Sequence, residues 1–184
     1  MNLFILDKSP VKAARMQCDK HVVKMIVESA QMMSTAHRIL DGVETKRPSK
    51  SGKRMVKYWE LPDAKENVLY KAVHFNHPCT VWTTECLHNY RWHYDHFFAL
   101  CKEYEYRYEK KHATFNKLEL ALKIPPKNIS DIGRMTPFKL AMKSNPECMF
   151  PDDPIKSYKM YYKTKKENFK MVWTKRETPA WFLK

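Results

Sequence analysis

Glycine is scarce: three in 184 residues, at positions 42, 52 and 133. A sandwich or barrel with many tight turns needs more, so a helical chain is favoured. No apolar run is long enough for a membrane span. The opening MNLFILDKSP is apolar only briefly before it meets Asp7, and it lacks the form of a secretory signal. Five cysteines stand at 18, 79, 86, 101 and 148, an odd number with no CxxC pair. That argues against a disulfide framework and for free thiols in a reducing compartment. No P-loop, dinucleotide fingerprint, Ser-based elbow or HExxH motif occurs, so neither a metal nor a cofactor is expected. The expectation is a soluble, cytoplasmic monomer with no membrane partner.

Positive charge is what the chain has in excess. Lys and Arg number 34 against 20 Asp and Glu, a net charge of +14. Such a surface attracts polyanions, with nucleic acid first among them. Apolar residues make up 43% of the chain, enough for a real core, and the length suits one domain over 1–184.

Ser9-Pro10 predicts an N-cap followed by proline at the first helical position, with a helix over 10–17. Asp19 is expected to cap a second helix over 20–40, stopped by Asp41-Gly42. Residues 44–57 (ETKRPSKSGKRMVK) are expected as a mobile basic loop, either a solvated linker or a phosphate-contacting segment. A long helix is expected over 79–111, with Leu87, Tyr90, Tyr94, Phe98, Cys101, Tyr104 and Tyr108 as its core stripe and His93 and His96 on its polar face. A short helix is expected over 114–123. The C-terminal extension 124–184 opens on a stretch, 124–151, rich in turn residues. It is expected to hold a short helix near Phe138–Met142 and another from Asp153-Pro154, with Ile155, Tyr158, Tyr162 and Phe169 on one side. Overall the pattern predicts a mainly α, compact single-domain helical bundle with long loops.

The second helix poses a question. Its segment CDKHVVKMIVESAQ (18–31) reads as core, yet it carries His21, Lys24, Glu28 and Gln31. At 100° per residue, Glu28, Lys24 and Gln31 lie at about −20°, −60° and −80° from His21, so the four share one side. A carboxylate flanked by His and Lys can move protons or balance a developing cation. The plainer account is a surface Lys24–Glu28 pair, worth a few tenths of a kcal/mol.

Three pieces together resemble the pyrimidine-dimer DNA glycosylases, the family of phage endonuclease V and its short bacterial relatives. They are the apolar start MNLFIL, the segment DKHVVKMIVE (19–28) leading to Glu28 and Gln31, and NHPCTVW (76–82) before a Tyr/His/Leu/Cys helix. The likeness covers roughly 1–40 and 74–112, and the tail RETPAWF is similar to the phage enzyme's C-terminus. It implies a mainly helical fold and a two-step reaction. The α-amine at the chain start attacks C1′ of the damaged nucleotide to give a Schiff base, and the strand is then cut by β-elimination.

Carried over, Glu28 is the assisting carboxylate, the amine belongs to Met1 or Asn2, and His21 positions the DNA. The phage enzyme exposes a threonine amine after Met removal, whereas Asn stands second here. An ordinary α-amine, with a pKa near 7.7–8.0, keeps a neutral fraction at physiological pH. The phage enzyme's phosphate-gripping arginines fall at Val27 and Gln31, so other bases must serve. The expected contacts to double-stranded DNA are Arg15, Lys24, Gln31, Lys46, Arg47, Lys50, Lys53, Arg54, His77, Lys175, Arg176 and Trp181. Two alternatives stay open: a non-catalytic basic nucleic-acid-binding protein, and a related enzyme acting on a hypermodified base.

Overall fold

Two long helices set the frame. The computed structural model describes residues 1–49 and 51–183 and is mainly α, with eight α-helices and one two-stranded sheet among them. Helix α1 (Pro10–Arg15) begins as expected: Ser9 caps it and Pro10 opens it. Helix α2 (Asp19–Asp41) is built from good helix formers and buries Val22, Met25, Ile26, Met32, Met33 and Ala36. Its N-cap is Cys18, not Asp19. The Asp19 carboxylate sits inside the first turn, where it accepts from Arg107 Nη1 (2.9 Å) and Thr174 Oγ1 (2.6 Å).

The basic segment after α2 is not a loop. Strands β1 (Val43–Pro48) and β2 (Met55–Glu60) form an antiparallel hairpin, with Val43 opposite Glu60 and Pro48 opposite Met55. Valine and aromatics in MVKYW favour a strand, and Gly52, at φ 72°, allows the turn. Arg38 holds the hairpin base on α2. Its guanidinium is buried and donates to the carbonyls of Trp59, Glu66, Leu69 and Tyr70 and to the Glu66 carboxylate, tying in the short helix α3 (Lys65–Val68).

Helix α4 (Pro78–Glu85) opens on Pro78 with His77 as its cap. The expected continuous helix breaks at Cys86, which is fully extended, because Asn89 Nδ2 folds back onto the Trp82 carbonyl (2.7 Å). Helix α5 (Leu87–Tyr108) then packs on α1, α2 and α4. Its expected stripe is only partly core: Tyr90 and Cys101 are buried, but Leu87, Tyr94, Phe98, Tyr104 and Tyr108 are half-buried. The deep side carries Trp92, Phe97 and Leu100 together with His93 and His96. Those two histidines are therefore core residues, not members of a polar face. Helix α6 (Ala113–Lys123) follows.

The C-terminal region joins the same hydrophobic cluster through Met142, Cys148, Tyr158, Tyr162 and Trp173. Residues 138–142 are irregular, not helical, and their carbonyls face long-range donors: Lys139 accepts from Tyr158 Oη (2.7 Å) and Ala141 from Asn2 Nδ2 (3.1 Å). Helix α7 (Pro154–Lys163) is capped by Asp153 and ends before Phe169. Helix α8 (Ala180–Leu183) closes the described chain. No helix among the described residues is long and apolar enough to cross a membrane.

Candidate active site

The site is assembled around the start of the chain. Leu3, Phe4, Ile5 and Leu6 are buried, as an apolar arm threaded into the core requires. The arm is pinned at several points. Asn2 Oδ1 accepts from the Leu3 and Phe4 amides (2.8 and 3.0 Å), while Gln17 Nε2 donates to the Leu3 carbonyl (3.3 Å). Phe4 takes a positive φ of 50°, a tight bend that turns its ring onto His21 and Tyr162, with centroids at 4.6 and 4.9 Å. The arm thus ends with its first two nitrogens against α2.

Glu28 receives them. Its Oε2 lies 3.5 Å from the Met1 α-amine and accepts from the Asn2 amide at 2.8 Å. On the other oxygen, Lys24 Nζ stands 3.4 Å away. Glu28 is 9% exposed and Asn2 5%, whereas the Lys24 side chain is 67% exposed. A nearly buried carboxylate therefore touches an amine on its inner oxygen and a solvent-reaching cation on its outer one. Helix α4 packs on the Met1 side chain, with Thr80 Oγ1 3.9 Å from its Sδ, and His77, the α4 cap, lies near the α-amine. His77 Nδ1 accepts from the Cys79 amide (3.2 Å). Burial lowers the His77 pKa, with the nearby α-amine and His74 pulling the same way and Glu28 opposing them.

His21 takes a different place. Its ring is 6% exposed and packs on Phe4 and Phe169. Tyr162 Oη accepts from the Cys18 amide (2.8 Å) and lies within hydrogen-bond distance of His21 Nδ1 (2.7 Å). Burial lowers the His21 pKa to about 4, with Lys24, Lys165 and Lys20 adding to the effect, and the ring is neutral at physiological pH. An open cavity of about 820 Å³ runs along this side of α2, lined by His21, Lys20, Lys24, Tyr108, Phe169 and Lys170 among others.

The remaining expected residues scatter. Gln31 is half-buried, and its carbonyl accepts from Thr35 Oγ1 (2.8 Å). Lys46 and Arg47 lie on β1, Lys53 and Arg54 at the end of the hairpin, and Lys50 lies outside the described residues. Arg15, Lys175 and Arg176 pair with acids of α5: Arg15 Nε is 3.7 Å from Glu103, Lys175 Nζ 2.6 Å from the adjoining Glu109, and Arg176 Nη2 2.6 Å from Glu103. Trp181 packs on Tyr162 and Phe182. In this structure the tail's bases and aromatics serve to dock it on the body.

Sequence reasoning missed the roles of Tyr162, whose hydroxyl meets the His21 ring, and Ala141, whose carbonyl holds Asn2. Both act across more than a hundred residues, and no local pattern marks them. No family model, curated protein or solved structure matches the chain.

Proposed function

We propose that the chain is a DNA N-glycosylase with AP-lyase activity on damaged pyrimidines, UV pyrimidine dimers in double-stranded DNA above all, working as a cytoplasmic monomer. One observation carries this: the α-amine of Met1 and the amide nitrogen of Asn2 share the inner oxygen of a nearly buried Glu28. The resemblance to the pyrimidine-dimer glycosylases supports the same assignment of roles.

In the proposed reaction the neutral amine attacks C1′ and the damaged base departs with the bonding electrons. Glu28 accepts the proton lost by the new C–N bond and balances the cation of the Schiff base. The C1′–O4′ bond breaks as that imine forms, and O4′ takes the proton that Glu28 had accepted. Glu28, a carboxylate again, removes a C2′ proton; the C–H electrons form the C2′–C3′ double bond and the 3′ phosphate leaves with the C3′–O electrons. Burial of Glu28 strengthens its hold on a cationic intermediate, because few solvent dipoles compete. Lys24, exposed beside it, meets a phosphate in this reading, and His77 stands near the amine. The arrangement tolerates either chain start: with Met1 removed, the Asn2 nitrogen is itself the α-amine, at 2.8 Å.

Glu28→Gln tests this. Strand cleavage of UV-irradiated duplex is expected to fall at least about 100-fold, the scale of a lost proton-transfer group, while duplex affinity stays within a few-fold of the natural protein. Cleavage at the natural rate would remove Glu28 from the mechanism. Loss of binding together with cleavage would make its role structural.

A further inference from the structure

The β1–β2 hairpin is the part of the molecule that the reaction above leaves unused. It is a built element, not a tether. Its base is anchored by Trp59, which is buried against Phe75 with ring centroids at 5.2 Å, and by the Arg38 guanidinium on the Trp59 carbonyl. Its end is closed by hydrogen bonds from Ser49 N to Arg54 O (2.7 Å) and Gly52 N to Ser49 O (2.8 Å). Beyond that base the ribbon is open to solvent. Every β1 residue except Thr45 is exposed, as are Met55 and Lys57 on β2.

Its charges are arranged against its own stability. Lys46 lies directly opposite Lys57, and like charges facing across a ribbon destabilise it. Glu44 draws Lys57 aside (2.8 Å), and Glu60 engages Arg47. Lys46, Lys53 and Arg54 make no ion pair among the described residues. A self-contained hairpin gains nothing from this pattern, whereas a hairpin that meets a polyanion does.

Position adds a second argument. Glu28, Gln31, Thr35, Arg38 and Gly42 fall within about 80° of one another around α2, so one stripe leads from the carboxylate to the hairpin base. Fourteen residues at 1.5 Å place the two about 21 Å apart, or about six base pairs of duplex at 3.4 Å each. A two-stranded ribbon, its strands about 4.8 Å apart, enters a major groove about 12 Å wide.

We infer that the β1–β2 hairpin is a duplex-reading arm that enters the DNA major groove about six base pairs to one side of the lesion, with Lys46, Lys53 and Arg54 on the flanking phosphates. The distance rests on the proposed catalytic site; the groove contact does not.

The test uses the full chain on a duplex carrying one tetrahydrofuran abasic analogue, which cannot form a Schiff base. Its comparison variant is Lys46→Ser/Lys53→Ser/Arg54→Ser, which leaves the Trp59 and Arg38 anchors intact. The natural protein should protect guanine N7 from methylation about six base pairs from the analogue on one side only, and the variant should lose that protection. With three phosphate contacts gone, duplex affinity at low salt should fall on the order of 100-fold, and the slope of log K against log salt should shrink by about 3. If natural and variant proteins bind duplex with equal affinity and slope, the arm is overturned. It is overturned too if guanine N7 stays reactive while the backbone is protected, or if the variant loses single-stranded binding equally. N7 protection by a protein that traps no abasic DNA would keep the arm and overturn the catalytic proposal instead.

Discussion

One oxygen atom of Glu28 serves two successive nitrogens of the chain start, so the site does not depend on whether Met1 is retained. The sequence raised that point as an open choice between Met1 and Asn2, and geometry makes the choice less important. Other single residues changed meaning more. Gly42 was expected to stop α2 and does so, but with an extended backbone at φ −92°. Space is the reason for glycine there: an added Cβ would stand 2.4 Å from the Arg38 carbonyl oxygen and 3.0 Å from that of Glu60. Gly42→Ala should therefore push the hairpin from the helix and destabilise the protein by about 2 kcal/mol, measured as a shift in urea midpoint. An unchanged midpoint would mean the backbone yields without cost.

Among elements, the helices were legible because their signals are local. Ser9-Pro10, His77-Pro78 and Asp153-Pro154 each place a cap and a proline in adjacent positions. The hairpin was hidden because its charge and its Pro and Gly resemble a linker, and its anchors come from elsewhere. Arg38 is the chief of these, joined to the segment 59–70 by five hydrogen bonds. Arg38→Met would keep helical character in α2 but leave the Glu66 carboxylate and four carbonyls without their donor. Breaking such a buried pair costs about 3–5 kcal/mol. Denaturant unfolding should show that loss, with hydrogen-exchange protection falling first in 43–60. A loss below about 1 kcal/mol would show that water replaces the guanidinium freely.

At the scale of the whole molecule, the candidate site was only half legible. Glu28 and Lys24 meet as their four-residue spacing requires. His21 shares their side of α2 but is held by Tyr162 in a separate aromatic cluster, because the C-terminal region folds back over it. In the aromatic and basic tail, expected among the DNA contacts, Lys175 pairs with Glu109 and Arg176 with Glu103 at the end of α5. Lys24 stands beside the carboxylate, and the basic hairpin lies toward the other end of the same helix.

The central claim is that the first amine of the chain is the nucleophile. The most direct measurement is borohydride trapping on an abasic-site duplex, with the cross-linked peptide located by mass spectrometry. It should be run for the free chain and for one whose amino terminus is chemically blocked. An adduct is expected on the N-terminal residue of the free chain, absent after blocking and absent in Glu28→Gln. An adduct on Lys24 or another lysine, or one that survives blocking, would contradict it.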